Sequence, residues 1–244
     1  MEYIAAFKVG TPTISNWTVD SSGTLSVGLQ AYWKMDETTG NRLSQIGAQT
    51  LTNSVSVLSQ VGVVNSAALL VEANSQTLYR VSNSTLTTGN INFSLAGWVY
   101  FASTGTKIVA SKRGNAAGNF EYQLLLLGNV LALSVSSDGN GFFTVSNSSF
   151  GALNTATFYN FVAWHSNNSH VGVSVNLSAT TAPYTGGVRA GSAPFVVAAT
   201  DTGTSANFLW LDGRVDELGW WKKVLSPIER QSLYNGGNGN TYTA

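Results

Sequence analysis

The sequence predicts an all-β protein, built as a sandwich of two antiparallel sheets with one short helix near its C-terminal end. Two observations predict this fold class. Apolar and polar residues alternate over many short segments, as they do in half-buried strands. Turn dipeptides such as Gly-Asn, Asp-Gly and Asn-Asn separate these segments at short intervals, which is typical of sandwiches and barrels.

The strand pattern is clearest between residues 170 and 177. One face of this segment carries only apolar side chains: Val171, Val173, Val175 and Leu177. Residues 130–137 alternate in the same way. Large residues occupy both faces of 93–101 and 158–165, which indicates central strands that are covered on both sides. Gly128-Asn129 stands between two apolar runs and predicts a tight hairpin.

The one helix is predicted to begin at Ser226. Ser226 stands at the N-cap, Pro227 at the first helical position and Glu229 at the third, which is the pattern of a capping box. Asn235-Gly236-Gly237 supplies the residues that end a helix in the left-handed conformation. We expect about two turns that seat three apolar side chains against the sandwich: Leu225, Ile228 and Leu233.

Composition and charge exclude several functions. Only 10% of the 244 residues are charged, and 12 basic side chains balance 12 acidic ones. Soluble domains usually carry about 25% charged residues. Ser, Thr, Asn and Gly together account for 101 residues, so neutral hydroxyls and amides must solvate the surface. We therefore expect no nucleic-acid partner, because that needs a basic face.

The sequence also lacks the features of a membrane-spanning protein, of a disulfide-rich protein and of a secretory signal peptide. It contains no apolar run long enough for a membrane-spanning helix, so we expect no membrane insertion. It also contains no cysteine, which rules out a disulfide framework and a thiolate nucleophile. The beginning of the sequence has none of the regions of a secretory signal peptide.

The chain is predicted to have three parts. Residues 1–28 form an N-terminal arm, 29–240 the sandwich domain and 241–244 a short tail. The arm is rich in Ser, Thr and Gly and lacks a sustained alternation, yet apolar side chains occur along it. These side chains make the arm too hydrophobic for a free tail. We therefore expect five of them to dock on a partner subunit: Tyr3, Ile4, Phe7, Ile14 and Trp17.

Three segments carry a resemblance to a known family. Residues 29–41 read LQAYWKMDETTGN, residues 93–100 read FSLAGWVY, and residues 211–221 read LDGRVDELGWW before the helix segment. In this order they resemble the laminin-G-like branch of the concanavalin A-like jelly-roll family, the branch with a C-terminal capping helix. The resemblance implies a jelly roll over about residues 29–240, in which the first and last strands pair. The family includes carbohydrate and protein binders, calcium-dependent modules, enzyme appendages and virion surface proteins.

The acidic residues do not form the pattern of a glycoside hydrolase. That reaction normally needs two carboxylates at one cleft. Asp212, Asp216 and Glu217 are the densest acidic group, but their spacing is Asp-x-x-x-Asp-Glu with no second Glu three or four residues on, so we do not expect them to deliver two carboxylates to one cleft. Asp36 and Glu37 are adjacent and would point to opposite faces. We therefore expect no catalysis.

Asp36 and Asp216 are candidates for a metal site. The two residues come close if the first and last strands pair as in the family. Oxygen ligands that converge there would suit Ca²⁺, which is the cofactor that this sequence suggests. The alternative is a structural role, in which the carboxylates accept backbone N–H bonds or pair with Lys34 or Arg214.

Four residues are candidates for ligand binding: Asp138, Asn140, His165 and Asp201. Asp138 and Asn140 belong to an Asp-Gly-Asn-Gly turn, and Asp201 lies in a second loop. Calcium-dependent laminin-G-like modules resemble each other in placing Asp ligands on such loops. The alternative for the aspartates is turn formation. The alternative for His165 and His170 is that both flank a turn in solvent.

The aromatic and basic residues carry further expectations. Most of the seven tryptophans are expected in the core, although aromatic faces also bind sugars. Trp220 and Trp221 are adjacent and must point opposite ways, so we expect one of them to be partly exposed. Lys112 and Arg113 precede Gly-Asn-Ala-Ala-Gly-Asn, and this segment is interpreted as a solvated hairpin tip.

These observations predict a non-catalytic virion surface protein, either a phage head-decoration protein or a tail-fibre component with a lectin-like sandwich. The neutral surface, the absence of cysteine and the apolar arm favour this hypothesis. Its partners would be other virion or surface structural proteins and cell-surface glycans, and it would be oligomeric or arrayed. The first alternative is a bacterial extracellular carbohydrate-binding module, and the second is an appendage of a glycan-active enzyme.

Overall fold

The computed structural model describes residues 17–18, 24–201 and 209–243. These residues form seventeen β-strands and one α-helix, together with three short 3₁₀ turns at Thr24–Ser26, Glu72–Asn74 and Asn235–Gly237. In chain order the elements are β1 Trp17–Thr18, β2 Leu29–Trp33, β3 Thr52–Asn53, β4 Leu58–Val61, β5 Ser66–Leu70, β6 Leu78–Arg80, β7 Phe93–Phe101, β8 Lys107–Arg113, β9 Phe120–Leu127, β10 Val130–Val135, β11 Phe143–Ser146, β12 Phe158–Ser166, β13 Ser169–Val175, β14 Ser178–Tyr184, β15 Phe195–Val197, β16 Gly213–Trp221, α1 Pro227–Tyr234 and β17 Tyr242–Thr243.

Two large antiparallel sheets make up the body of the protein. One has the strand order β11-β10-β9-β8-β15-β6-β3, and the other has the order β14-β13-β12-β7-β16-β5-β4, with β2 also paired to β16. Apolar side chains from both sheets meet in one continuous core between them. The predicted two-sheet sandwich with one short C-terminal helix is therefore confirmed.

Strand β16 changes its partner halfway along its length. Its first three residues pair with β5, and residues 218–221 pair with β2. β7 pairs with β16 on the other side, with a shift of register between Asp216 and Gly219. Glu217, inside this bulge, has a φ of +48°. The predicted pairing of the first and last long strands is confirmed, because Trp33 is the register partner of Leu218.

Stacked aromatic rings anchor the core. Trp33 lies flat against Phe195 with ring centroids 5.5 Å apart. Phe93 stacks on Trp220 at 6.1 Å. The indole N–H of Trp220 donates to the Tyr122 hydroxyl at 3.1 Å. The polar groups of these two side chains therefore satisfy each other across the two sheets.

A second apolar cluster covers the outer face of the sheet that contains β16. Its members come from the first 3₁₀ turn, the sheet and the C-terminal segment: Leu25, Leu29, Tyr32, Ala96, Val162, Trp164, Trp221, Leu225, Leu233 and Tyr242. The indole N–H of Trp221 donates to the Leu25 carbonyl at 2.7 Å. Trp220 and Trp221 are both 0% exposed, so the expectation that one of them is partly exposed was wrong. The cause is this second layer, which the strand pattern does not reveal.

The packed part of the chain extends past both predicted domain boundaries. The Thr24–Ser26 turn lies before residue 29, and β17 lies after residue 240. β1 pairs in parallel with β17, and this pairing is all that the structure describes of Trp17. The other predicted docking residues, Tyr3, Ile4, Phe7 and Ile14, lie outside the described residues. The division into arm, domain and tail stays a prediction.

The predicted helix and hairpin are confirmed, with two errors in detail. Ser226 and Glu229 form both bonds of the capping box, and Asn235 ends the helix in the left-handed conformation. Gly128 and Asn129 have φ values of +57° and +64° between β9 and β10. Ile228, however, is 78% exposed, because only one side of this short helix faces the sandwich. Leu177 is 39% exposed, because β13 ends at Val175 and the turn to β14 follows.

A buried ion pair joins the two ends of the predicted hairpin segment. Lys112 and Glu121 are both 0% exposed, and their charged atoms are 2.6 Å apart. The Lys112 ammonium also donates to the Ala193 carbonyl at 2.7 Å. The expectation that Lys112 is solvated was therefore wrong.

Among the described residues, no helix is long and apolar enough to span a bilayer.

Candidate functional site

Three of the four predicted ligand-binding residues lie on connected loops at one end of the sandwich. Asp138 and Asn140 form the turn after β10. The Asn140 side-chain oxygen accepts the backbone N–H of Gly118 at 2.7 Å. A carboxylate oxygen of Asp201 accepts the backbone N–H of Asn115 at 3.1 Å. The loop between β8 and β9 therefore links the Asp138 turn to Asp201.

Asp138 is held by its own turn. Its Oδ1 accepts the backbone N–H groups of Asn140 at 2.9 Å and Gly141 at 3.0 Å. The Ser136 hydroxyl donates to the same oxygen at 3.2 Å. These bonds, led by the one from Asn140, lower the pKa of Asp138 below its ordinary value. The result is an exposed, ordered carboxylate that is ionised at neutral pH.

An open cleft of about 240 Å³ lies beside this turn. We call it the rim cleft, and its lining residues are Val135, Ser137, Asp138, Gly141, Phe142, Phe143 and Tyr184. Phe142 is 61% exposed. Behind it, Phe143 and Tyr184 stack with ring centroids 4.8 Å apart. The cleft thus combines an exposed aromatic ring with a fixed carboxylate, and both can contact a ligand that has apolar and hydroxyl surfaces.

His165, the fourth predicted ligand residue, is in the core. β12 lies between β7 and β13, so the His165 ring is 0% exposed. Its Nδ1 donates to the Ile91 carbonyl at 2.9 Å, and its ring packs edge-on against Tyr184 at 6.1 Å. Burial lowers the pKa of His165 and keeps the ring neutral. The expectation of a solvated flank was wrong for His165, which supports the rim cleft from behind.

Of the seven lining residues, only Asp138 was among the predicted ligand-binding residues, and the missed ones include Phe142 and Tyr184. Phe142 directly follows the Asp-Gly-Asn-Gly turn, and an aromatic residue next to such a turn is a signal that could have found it. Tyr184 carries no local signal. It reaches the cleft because the edge strands β11 and β14 of the two sheets lie close together, which depends on the tertiary fold.

The predicted metal residues meet at another turn. Asp216 is buried, and its Oδ2 accepts the backbone N–H groups of Val63 at 2.7 Å and Val64 at 3.0 Å. Asp36 accepts the backbone N–H of Ser66 at 3.0 Å. Both carboxylates therefore hold the turn between β4 and β5, in agreement with the structural alternative that the sequence left open.

The surroundings of Asp216 disfavour charge. Burial raises its pKa to about 8. Burial, and after it the charge of Asp216, raises the pKa of the neighbouring Glu217 to about 9. The Tyr32 hydroxyl donates to Glu217 at 2.5 Å. The bulge in β16 thus buries two adjacent carboxyl groups that hold protons near neutral pH.

These groups do not form a cation site. Within residues 17–18, 24–201 and 209–243, no group of three or more histidine or acidic side chains is placed to hold a metal ion. Calcium needs several ionised or carbonyl oxygens that converge on one point. The oxygen atoms here accept backbone N–H bonds, and burial favours their protonated form. The residues present do not fit calcium.

Comparison with known proteins shows the fold. No protein-family model and no curated protein matches the chain. The binding domain of Paraclostridial Mosquitocidal Protein 1 superposes with a TM-score of 0.67 and 11% identity, over 86% of this chain and 52% of that one. A structure of botulinum neurotoxin type C superposes with a TM-score of 0.62 and 8% identity, over 86% of this chain and 51% of that one. The chain spans about half the length of these toxin structures.

A third solved structure matches as a whole domain. It is domain 4 of AbnA, a GH43 extracellular arabinanase from Geobacillus stearothermophilus, in complex with arabinotriose. The TM-score is 0.62 and the identity 16%, over 83% of this chain and 96% of that one. At such identities the likeness establishes the class of architecture alone, a two-sheet β-sandwich. The laminin-G-like family stays a resemblance.

Proposed function

We propose that this protein is a non-catalytic carbohydrate-binding module whose rim cleft contacts a glycan. The observation that carries the proposal is the pairing, in one open cleft, of the exposed Phe142 ring with the fixed carboxylate of Asp138. The likeness to an arabinanase domain in complex with arabinotriose supports it, because nearly the whole of that domain is matched.

The two side chains have complementary tasks. The C–H face of a sugar ring would lie on Phe142, and the Asp138 carboxylate would accept hydrogen bonds from sugar hydroxyls. The turn holds Asp138 in place before the ligand arrives, so binding orders few groups. One shallow cleft gives weak affinity. An oligomeric or arrayed protein would raise it through multivalency.

The contents of the cleft favour binding over hydrolysis. Asp138 is its one carboxylate, whereas glycoside hydrolysis normally uses two. The adjacent acidic pair, Asp216 and Glu217, is buried in β16. This supports the expectation that the protein is not an enzyme.

Variants of the rim cleft test the proposal. We expect Phe142→Ala and Asp138→Asn each to weaken binding of arabinotriose or another neutral oligosaccharide by about tenfold, the loss expected for one strong contact. Asn can keep the turn bonds of Asp138, so this variant removes mainly the charge. The control is Phe150→Ala, which removes a 36%-exposed ring outside the cleft. Titration calorimetry against an oligosaccharide panel measures the effect, and equal affinity for all four proteins would overturn the proposal.

We further propose that the module acts on the surface of a virion, with an extracellular bacterial surface as the alternative. The low content of charged residues and the apolar residues among 1–16 support an assembly of many copies. Mass spectrometry of purified phage particles tests this location. Recovery of the chain at many copies per particle would support it, and its absence from particles that come from cells expressing it would contradict it.

A further inference from the structure

A second groove lies on the outer face of the sandwich, away from the rim cleft. We call it the outer groove. It has a volume of about 370 Å³ and is lined by Leu177, Ala179, Pro227, Arg230 and Gln231. It runs between α1 and the turn that joins β13 to β14. Ala179 and Tyr184 stand near opposite ends of β14, so the two sites are roughly 17 Å apart at about 3.3 Å per residue.

Arg230 is the charged group of the outer groove, and its side chain stacks on an aromatic ring. Its guanidinium carbon lies 4.3 Å from the centroid of the Trp164 ring. Trp164 cannot shift easily, because its indole N–H donates to His170 at 3.0 Å and its ring packs directly on Gly172. The stacking orients the guanidinium plane but supplies no counter-charge.

Among the described residues, Arg230 has neither an acidic partner nor an acceptor for its guanidinium. It belongs to none of the four ion pairs in this part of the chain. Its Nε is buried and makes no hydrogen bond to the described residues. The neighbouring Glu229 is engaged by Lys223 at 2.5 Å. Partial burial lowers the pKa of Arg230 below its ordinary value.

Two fully buried cations of the described residues have partners for their charged groups. Lys112 pairs with Glu121 at 2.6 Å. Arg42 donates to the Val57 carbonyl at 3.2 Å and the Leu58 carbonyl at 3.0 Å. Buried charges in proteins are normally satisfied in this way. Arg230, which is half-buried, has no such partner among the described residues, and a cavity of ligand size opens beside it.

We propose that the outer groove binds an acidic sugar and that Arg230 receives its carboxylate. A guanidinium offers a planar pair of N–H donors that matches a carboxylate in a bidentate geometry. The lining contains one cation, which suits a single negative charge better than the two charges of a phosphate monoester. Leu177, Ala179 and Pro227 form an apolar wall for the sugar ring. This inference rests on the proposed function, since it names a second class of glycan.

The experiment uses a glucuronic acid-containing tetrasaccharide and its carboxyl-reduced counterpart. Binding is followed by the NMR signal of the Trp164 indole N–H, which lies under Arg230. We expect the acidic sugar to shift this signal and the reduced sugar to bind about tenfold more weakly, because it lacks the bidentate partner. Equal binding of the two sugars would overturn the proposal. Inorganic phosphate serves as a third probe, and binding as tight as that of the acidic sugar would also overturn it.

Variants assign the effect to Arg230. Arg230→Gln should bind the acidic sugar about tenfold more weakly. Arg230→Lys keeps the charge but lacks the planar pair of N–H donors, so its loss of affinity should be smaller. The matched control is Arg214→Gln. Arg214 also stacks on an aromatic ring, Tyr100, at 4.3 Å, but it donates to the Val61 carbonyl and lies outside the groove. Thermal melting confirms that each variant is folded. Unchanged affinity in folded Arg230→Gln would contradict the assignment.

The two proposals can fail separately. Phe142→Ala changes the rim cleft and should leave the Trp164 shift intact. If neutral oligosaccharides do not bind but the acidic sugar still shifts Trp164, the rim cleft proposal is wrong and the outer groove stands. If neutral sugars bind and the acidic sugar gives no shift, the outer groove proposal is wrong.

Discussion

Several of the chain's few charged side chains lie inside the protein. Lys112, Glu121, Arg42 and Asp216 are each 0% exposed, although only 10% of all residues are charged. Most of them satisfy backbone groups of loops. Glu121, for example, accepts the backbone N–H groups of Thr88 and Gly191, each at 2.9 Å. Buried charge therefore fixes loop geometry, and neutral side chains cover much of the surface.

The buried carboxyl groups at the β16 bulge predict a pH dependence of stability. The pKa values of about 8 for Asp216 and about 9 for Glu217 lie above the ordinary 3.8 and 4.5. Between these values the folded chain holds more protons than the unfolded chain. The contribution of these groups to the free energy of unfolding is therefore largest below pH 4 and declines from about pH 4 to pH 9. Urea denaturation at a series of pH values measures it.

A variant isolates the contribution of Glu217. Glu217→Gln should flatten the decline, because a neutral amide has no proton to lose and can still accept from the Tyr32 hydroxyl. Asp212→Asn is the control, since Asp212 lies before β16 and outside the bulge. A decline as steep in Glu217→Gln as in the unaltered chain would show that other groups cause it.

At the scale of single elements, local sequence signals decided the ends of α1 and of the β9–β10 hairpin. The capping box and the Asn235-Gly236-Gly237 stop act within a few residues, so they need no tertiary partner. The inward face of α1 was less predictable. Leu233 is buried and Ile228 is exposed, because the helix touches the sandwich with one side only.

The N-cap of α1 gives a prediction for this element. Ser226→Ala should lower the free energy of unfolding by about 1 kcal/mol, because the backbone N–H of Glu229 loses its acceptor. Ile228→Ala on the same helix is the control and should change stability by less than about 0.5 kcal/mol, since its side chain is 78% exposed. Equal losses in the two variants, measured by chemical denaturation, would show that the cap has no specific effect.

At the scale of the whole molecule, the sandwich has a second hydrophobic layer outside its main core. The layer joins Leu25, which precedes the first long strand, to Tyr242, near the other end of the described chain. Between them lie Tyr32 and Trp221, whose rings meet edge to face at 6.4 Å. Segments distant in sequence therefore close the outer face of the sheet together.

This layer predicts different stabilities for two truncated chains. A chain that begins at Leu29 should be about 3 kcal/mol less stable than one that begins at Thr24, because it loses the buried Leu25 side chain and the acceptor of the Trp221 indole N–H. Both should fold, since the main core begins after Leu29. Leu25→Ala in the longer chain should show part of the loss. Equal melting temperatures for the two truncated chains would contradict the role of the layer.

The rim cleft shows how far sequence reasoning reaches into the site. Turn chemistry marked Asp138 and Asn140 correctly as exposed loop residues, because the Asp138 side chain of an Asp-Gly-Asn-Gly segment bonds within its own turn. The same reasoning misplaced His165, since a histidine at the end of a strand looks alike whether or not other strands cover it. No sequence pattern marked Arg230 as a binding residue, because only the tertiary structure shows that no acidic side chain of the described residues pairs with it.

The sequence by itself determined the all-β class, most strand positions, the hairpin turn and the capped helix. Each of these depends on periodicity or on interactions within a few residues. Only the tertiary structure decided that Trp220 and Trp221 are both covered, that Asp216 and Glu217 are buried together, and that Phe142 and Tyr184 share a cleft. Those outcomes depend on which strands and layers become neighbours, and the long-range packing that sets them leaves no local pattern in the chain.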